Sequence, residues 1–191
     1  MIVGNVSIDL DTPRYNKSLV IQSSSTITHQ NTLSNDEQEW TCCAWIKPLS
    51  LPNYSTLNNF NLGNRLVHGT YPLLYINNGI NDFYTYGNKA IVTDEWQHVA
   101  FVFKNGTVSG SGTTSDAIKL IYINGVNQTG KGLNKTNTPF GIPDNVILFG
   151  GDFSGNVSDY REYCTALSEE DIKELYNTSA IVDNQGNDYA Y

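Results

Sequence analysis

The sequence has few positively charged residues and no long apolar run, and these shortages exclude two classes of protein. Lysine and arginine number 11 against 19 aspartate and glutamate residues, which gives a net charge of −8 at pH 7. A surface of that sign repels phosphate groups, so we expect no binding to nucleic acid. No segment approaches the roughly 18 apolar residues of a membrane span, so we expect no membrane insertion.

The first residues, Met1–Asn5, lack the basic start and the apolar core of a signal peptide. We therefore expect a soluble chain that is not exported by that route. The alternative is a domain of a longer secreted protein.

Cysteine is scarce, and its spacing argues against cross-links. The chain has 3 cysteines, of which Cys42 and Cys43 are neighbours in a strand-like run and would point to opposite faces. An odd number and the absence of a Cys-x-x-Cys pair disfavour a disulfide framework and a zinc site. We expect buried thiols in a protein that folds in a reducing cytosol.

What the chain does have is uncharged polarity. Charged residues make up only 16% of its 191 residues, and asparagine, serine, threonine, glycine and 12 tyrosines carry the polarity instead. That composition favours strands and turns over helices. A chain of this length fits one domain, which buries about 70% of the surface that the unfolded chain exposes.

The strongest local signal is a pair of apolar runs at 96–104 and 118–123. Both are rich in β-branched and aromatic residues, and each ends at an Asn-Gly pair, Asn105-Gly106 and Asn124-Gly125. Asn-Gly tolerates the positive φ angles of a tight hairpin turn. The pattern predicts two adjacent strands, each followed by a turn.

Further short runs predict a mostly β fold. Strands are predicted at 18–21, 39–46, 65–69, 72–77, 80–86, 146–149 and 155–163, with a strand or a loop at 23–28. The run 39–46 is apolar on both alternating faces, which indicates a strand covered on both sides. Residues 49–64 and 129–144 are predicted to be loops.

A single helix is predicted near the end of the chain. Ser168 and Asp171 form a capping pair, and Ile172, Leu175 and Tyr176 supply one apolar face. Many short strands joined by turns, with one late helix, predict an antiparallel β-sandwich.

Several of these segments, taken in order, resemble the laminin-G-like (concanavalin A-like lectin/glucanase) jelly-roll domain. They are Thr41–Pro48, Trp96–Ala100, Ile118–Gly125, Leu148–Gly151, Asp159–Tyr163 and Ala166–Ile172. The resemblance implies an all-β jelly-roll sandwich of two antiparallel sheets with one short C-terminal helix. We expect this domain to span 1–177 and residues 178–191 to form an extension or linker.

The resemblance also implies a binding role, with a carbohydrate or protein partner. Sugars need aromatic rings for their apolar faces and amide or carboxylate groups for their hydroxyls. The segment 75–86 offers both, so the predicted ligand-binding residues are Tyr75, Asn81, Asp82, Tyr84 and Tyr86. The alternative is that these are ordinary surface tyrosines of a sandwich.

Members of this superfamily often hold a structural Ca²⁺ ion at a sheet edge, and Asp159 is the matching position here. One carboxylate with backbone carbonyls suits this cation. Asp152 is a weaker second candidate, and the alternative for Asp159 is a loop cap or an ion pair with an arginine or lysine. His98 is predicted to be a packed core histidine, and Arg161 resembles the family's structural arginine.

An enzyme is not expected. The glucanase branch uses carboxylates that alternate along one strand, and the nearest pattern here is Glu37 and Glu39. The longer Glu-x-Asp-x-Glu pattern is missing, and a solvated acidic strand end explains these residues better. A glycoside hydrolase is the least favoured of three hypotheses.

The asparagine-rich composition and the C-terminal segment 179–189 are similar to laminin-G-like domains of bacteriophage structural proteins. The first hypothesis is therefore a glycan-binding module on a phage tail, fibre or capsid that contacts bacterial surface glycan. The second is a structural or assembly domain that contacts other virion proteins. Either would be made in the bacterial cytoplasm and reside in the virion; the alternative location is a secreted or cell-surface protein.

Overall fold

The computed structural model describes residues 2–3, 6–9, 18–22, 26–30, 39–50, 56–57, 60–61, 72–77, 82–104, 118–134, 145–150 and 153–178. Within these residues the chain forms fifteen strands and one helix. The strands are β1 (Ile2–Val3), β2 (Val6–Asp9), β3 (Ser18–Ile21), β4 (Thr26–Gln30), β5 (Glu39–Ser50), β6 (Thr56–Leu57), β7 (Phe60–Asn61), β8 (Leu73–Asn77), β9 (Asp82–Gly87), β10 (Gln97–Lys104), β11 (Ile118–Ile123), β12 (Val126–Asn127), β13 (Thr129–Asn134), β14 (Asn145–Gly150) and β15 (Ser154–Tyr163). The helix is α1 (Glu169–Thr178).

The strands form two antiparallel sheets. The order is β1-β4-β14-β6-β7-β8-β9-β13 in the eight-stranded sheet and β12-β11-β10-β5-β15-β3-β2 in the seven-stranded sheet. Strand β11 of the seven-stranded sheet also contacts β8, β9 and β13 of the other sheet. The predicted all-β jelly-roll sandwich with one C-terminal helix is confirmed. The helix in the described part of the chain is too short and too polar to cross a bilayer.

Strand β5 lies at the centre of the seven-stranded sheet, between β10 and β15. Every residue from Trp40 to Ile46 is buried, because one face of β5 packs into the sandwich and the other packs beneath α1. The two-sided apolar pattern predicts this burial correctly. The strand continues beyond Pro48, whose carbonyl accepts a hydrogen bond of 2.8 Å from the Asp94 N–H.

The predicted hairpin is β10–β11, and the turn after β11 has the expected geometry. Asn124 and Gly125 have φ angles of 53° and 72°, as a two-residue turn with positive φ at both positions requires. Asn124 also binds the backbone of His98, since its Oδ1 accepts from the His98 N–H and its own N–H donates to the His98 carbonyl, both at 2.8 Å. Asn105-Gly106 lies outside the described residues.

Two predicted loops are partly wrong. Residues 49–64 contain the end of β5 and the short strands β6 and β7, and residues 129–144 contain β13. The glycines that suggested a loop in β13 accompany an irregular register, since the pairing with β9 shifts between Thr129 and Gly132. The predicted strand at 65–69 lies outside the described residues. The sequence pattern does not predict β1 and β2.

Helix α1 is fixed by its N-terminal cap and by one buried residue. The Ser168 Oγ accepts from the Asp171 N–H at 3.1 Å, and the Asp171 Oδ2 accepts from the Ser168 N–H at 2.9 Å. Asp171 thus takes the place that glutamate usually has in a capping box. Ile172 is 0% exposed and packs on Cys43, Ala100, Val102 and Tyr122 of the sheet. The predicted boundary between 177 and 178 stays a prediction.

The three cysteines occupy two kinds of environment. Cys42 and Cys43 are buried on opposite faces of β5 and form no disulfide, as predicted. Cys164 follows β15 in a bend and is exposed, so the prediction that all thiols are buried is wrong at this position. The residues beside Cys164 in the sequence, Tyr163 and Thr165, form no apolar alternation. The sequence therefore does not indicate that Cys164 differs in burial from Cys42 and Cys43.

We expect one of the 3 thiols to react with Ellman's reagent in the native protein. Cys164 is exposed, whereas burial, with a smaller contribution from the negative charge of Asp159, raises the pKa of Cys43 to about 12. The Cys164→Ser variant should show no native reactivity, and all remaining thiols should react in denaturant. Fast native labelling of the Cys164→Ser variant would contradict the packing of β5.

Gly155 lies where β15 pairs with β5, and we expect alanine at this position to destabilise the fold. Its φ is +155°, and an added Cβ would lie 2.4 Å from the Lys47 carbonyl oxygen, a backbone atom. We expect Gly155→Ala to lower the free energy of unfolding by roughly 2 kcal/mol, measured by urea denaturation.

Gly125 provides the matched comparison. Its φ is also positive, but an added Cβ would lie 3.0 Å from the ring of Tyr176, a side chain rather than a backbone atom. Gly125→Ala should therefore cost less, about 1 kcal/mol. Equal losses in the two variants would show that the close approach of Gly155 to Lys47 does not matter.

Candidate functional site

Four of the five predicted ligand-binding residues lie in the β8–β9 hairpin. Tyr75 is the cross-strand partner of Tyr84, Asn77 is the partner of Asp82, and Leu73 is the partner of Tyr86. Cross-strand partners share one face of a sheet, and so do residues two apart along a strand. The backbone positions of Tyr75, Asp82, Tyr84 and Tyr86 therefore belong to the same face, which we call the tyrosine face.

The opposite face of β9 is the covered one. Thr85 lies between Tyr84 and Tyr86, is 2% exposed, and donates a hydrogen bond of 3.2 Å to the Gly130 carbonyl. Since strand residues alternate between faces, the tyrosine face is the one that Thr85 does not share. Asn81, the fifth predicted residue, lies outside the described residues.

The register sets the spacing on the tyrosine face. Residues two apart on a strand are separated by about 7 Å, and directly paired positions by about 5 Å. Three tyrosine positions and one aspartate position thus fall within the width of two strands. Leu133 of β13 pairs with Tyr84 and extends the same row toward the sheet edge.

Asp159, the predicted metal ligand, lies in a β-bulge of β15. Ser158 pairs with Trp45 and Arg161 pairs with Cys43, so Asp159 and Tyr160 together oppose the single residue Ala44. Asp159 has a φ of 50°, in the left-handed region. The G1 type of bulge places its first residue in this region, which aspartate adopts more readily than most residues.

The carboxylate of Asp159 is bound by arginine. Arg161 donates from Nε to Oδ1 at 2.7 Å and from Nη2 to Oδ2 at 3.0 Å. Both oxygens that a cation would use face a positive group, so Asp159 does not fit a calcium ligand set. Among the described residues no group of three or more histidine, cysteine, aspartate or glutamate residues is arranged to bind a metal. Asp152 lies outside the described residues.

His98 is packed beneath helix α1. It is 1% exposed, and its ring lies 5.6 Å from that of Trp45 and 6.2 Å from that of Tyr176. Trp45 and Tyr176 stack on each other at 5.6 Å with planes 22° apart. The three rings join β10, β5 and α1, which is the packing role that the sequence predicts for His98.

Glu39, one of the two candidate catalytic carboxylates, is held in an ion pair. It contacts the Lys104 ammonium group and accepts a hydrogen bond of 3.4 Å from the Ala166 N–H. The hydrogen bond from Lys104 and that from Ala166 lower the pKa of Glu39. A general acid of a glycosidase needs a raised pKa, so Glu39 is unsuited to that role. Glu37 lies outside the described residues.

The sequence does not predict the contact between Tyr160 and Glu162 of β15. The Tyr160 hydroxyl donates to a Glu162 carboxylate oxygen, and burial raises the pKa of Tyr160 well above its usual value. Glu162 pairs with Cys42, which is 0% exposed, so this contact is on the face of the sheet opposite to α1. Alternation predicts β15 as a strand, but the bulge changes which of its residues face inward.

Residues 22–173 match the family model of the laminin-G type described as the concanavalin A-like lectin/glucanases superfamily. The chain belongs to this family. The matched residues include β5, β10, β11, the Asp159 bulge and the first turn of α1. Among curated protein sequences, none matches this chain.

Solved structures with the same fold include domain 4 of AbnA, a GH43 extracellular arabinanase from Geobacillus stearothermophilus, in complex with arabinotriose. It is 18% identical, with a TM-score of 0.60, over 91% of this chain and 82% of that one. The binding domain of botulinum neurotoxin DC in complex with rat synaptotagmin II is 14% identical, with a TM-score of 0.65, over 100% of this chain. This chain spans 50% of that domain's length.

A second structure of the neurotoxin DC binding domain, in complex with SialylT, is 12% identical with a TM-score of 0.63. It is matched by 95% of this chain, over 47% of its own length. At these identities the likeness establishes the fold. The roles of individual residues must therefore be argued from this chain's own geometry.

The ion pair of Glu39 predicts a pH dependence. Because the folded-state pKa lies below the usual 4.5, the ionised carboxylate stabilises the fold above that value, and this contribution is lost as the pH falls through the folded-state pKa. The pair is partly exposed, so the effect is under about 1 kcal/mol. Glu39→Gln should therefore lose less stability than the wild type between pH 7 and pH 3, measured by urea denaturation; equal losses would contradict this.

Proposed function

We propose that this chain is a non-catalytic carbohydrate-binding module and that its tyrosine face contacts the glycan. The observation that carries the proposal is the register of β8 and β9, which gives Tyr75, Asp82, Tyr84 and Tyr86 a common face. The sequence predicts these residues from their chemistry alone, and their common face comes from strand pairing, which is independent of that chemistry.

The residue types suit a sugar. Aromatic rings stack on the apolar faces of pyranose and furanose rings, and a carboxylate accepts hydrogen bonds from sugar hydroxyls. The positions of Asp82, Tyr84 and Tyr86 along β9, with Tyr75 beside Tyr84 on β8, supply both kinds of residue over an extended surface. Such a surface suits a chain of sugar units rather than a small molecule that must be enclosed.

Two relatives support the carbohydrate class. The AbnA domain is described in complex with arabinotriose, and a neurotoxin binding domain in complex with SialylT. Both share the jelly-roll fold of this chain, and the family is named for lectins and glucanases.

A protein partner is the second candidate. Another neurotoxin binding domain with this fold is described in complex with synaptotagmin II. In this chain β12 forms one edge of the seven-stranded sheet, and its Val126 is 56% exposed. An exposed strand edge can pair with a strand of another protein, which would suit an assembly domain.

The biological setting that we propose is the surface of a bacteriophage particle, where the domain would contact bacterial surface glycan or neighbouring virion proteins. Single domains of this kind bind weakly, and many copies on one particle compensate through multivalency. The proposal rests on the resemblance of composition and C-terminal segment described above. A secreted or cell-surface location is the alternative.

The test is binding of the multivalently displayed domain to a panel of bacterial surface glycans. We expect a saturable signal that falls roughly tenfold in Tyr84→Ala, because one stacking contact is lost. Tyr84→Phe keeps the ring and should retain most of the binding. Glu170→Ala, an exposed change on α1 of the other sheet, should have no effect.

Two outcomes would contradict the proposal. Glycan binding that is unchanged in Tyr84→Ala and in Tyr86→Ala would exclude the tyrosine face as the site. No binding to any glycan by the folded domain, together with self-association that is lost when Val126 is replaced by lysine, would favour the assembly role.

A further inference from the structure

Asp159 has an unusual backbone conformation for a residue inside a strand. Among the described residues the non-glycine positions with positive φ are Asp94, Asn124 and Asp159. Asn124 is in a hairpin turn and Asp94 is in the turn before β10. Asp159 alone of these three lies within a strand, where the pairing of β15 with β5 holds the backbone on either side of the bulge.

The position calls for a residue without a large side chain, yet it carries a charge. Glycine is the usual residue at the left-handed position of a bulge, since it has no Cβ. Aspartate costs more in backbone energy, so its carboxylate must contribute an interaction that glycine lacks. The side chain of Asp159 is 9% exposed, so this interaction is largely shielded from water.

Arg161 supplies that interaction. Its guanidinium group binds the carboxylate in the two-pronged arrangement that gives the strongest ion pairs, with separate nitrogens on separate oxygens at 2.7 and 3.0 Å. The Arg161 side chain is 32% exposed and the Asp159 side chain is 9% exposed. The arginine is therefore the more solvent-exposed partner of the pair. The pair also lies next to Cys43, the partner of Arg161 on β5, which belongs to the cluster beneath α1.

We propose that Arg161 takes the place of a metal ion at the Asp159 bulge, so that an internal cation stabilises this part of the domain and no calcium is needed. Ca²⁺ requires six to eight oxygen ligands. The guanidinium already occupies both carboxylate oxygens and repels a second cation. An arginine stays protonated at any physiological pH and cannot dissociate, unlike a bound ion.

This inference is independent of the proposed function, since it concerns stability and not the tyrosine face. It assigns Asp159 to an ion pair in place of the calcium role that the family resemblance implies. The consequence is that the stability contributed by the Asp159 bulge should not depend on chelators or on the concentration of calcium in the surroundings.

The first measurement is the melting temperature of the wild-type domain in excess EDTA, in millimolar CaCl₂ and in millimolar MgCl₂. We expect the three values to agree within about 1 °C, since RT ln(1 + [L]/Kd) vanishes without a site. A melting temperature that falls in EDTA and is restored by Ca²⁺ in the wild type, but shows neither effect in Asp159→Asn, would overturn the proposal. So would one bound Ca²⁺ per chain in isothermal titration calorimetry that is lost in Asp159→Asn.

The second measurement separates the charge pair from the backbone conformation. Asparagine also tolerates positive φ, so Asp159→Asn removes the charge and keeps the bulge. Arg161→Gln instead leaves a buried carboxylate without its counter-charge, and should lower the melting temperature by roughly 10 °C. The double variant Asp159→Asn/Arg161→Gln should melt at a higher temperature than Arg161→Gln, because it lacks the unpaired carboxylate of Asp159.

Arg161→Lys is the second route if Arg161→Gln does not fold. It keeps the charge and loses the two-pronged geometry, so its melting temperature should lie between those of the wild type and Asp159→Asn. Arg161 variants that melt like the wild type, or a double variant that melts no higher than Arg161→Gln, would show that the pair does not stabilise the bulge.

Discussion

The burial of β5 on both faces is the constraint on which the rest of the structure depends. A strand in which Trp40–Ile46 are all buried must have a sheet on one side and a second layer on the other. The eight-stranded sheet supplies the first, and α1 supplies the second through Ile172 and Tyr176. The late helix is therefore an essential covering layer, and its cap at Ser168 fixes where that layer begins.

The same arrangement keeps the two sheets distinct in role. The outer face of the seven-stranded sheet is occupied by α1, by the rings of Trp45 and His98, and by the Asp159–Arg161 pair. The tyrosine face belongs to the other sheet, on the side that Thr85 does not share. The packing contacts beneath α1 and the proposed recognition residues thus belong to different sheets.

The elements that the sequence predicts well are those with strong periodic signals. The hairpin β10–β11 and the helix after Ser168 have the expected bounds, because long apolar runs and a cap leave little choice. Strands of two residues, such as β6, have no period to detect, and the glycines of β13 indicate a turn as readily as an irregular strand.

The residues of the tyrosine face can be proposed from chemistry, but their common face needs the register. The partner of Asp159 depends on a bulge, and no residue pattern announces that bulge. Lys104 meets Glu39 only because β10 pairs with β5.

The position of β15 has a consequence for how the protein forms. This strand lies between β5 and β3, so two segments from the first quarter of the chain are joined only by a segment near its end. The hydrogen bond from Asn156 to Ser18 spans 138 residues. During synthesis the seven-stranded sheet therefore remains open until residues 154–163 have left the ribosome. Until then β5 has one edge without its final neighbour, and a strand so apolar is prone to pair with other chains. The sheet is thus completed only when β15 pairs with β5 and β3, and this late strand covers the edge of β5 that would otherwise be open.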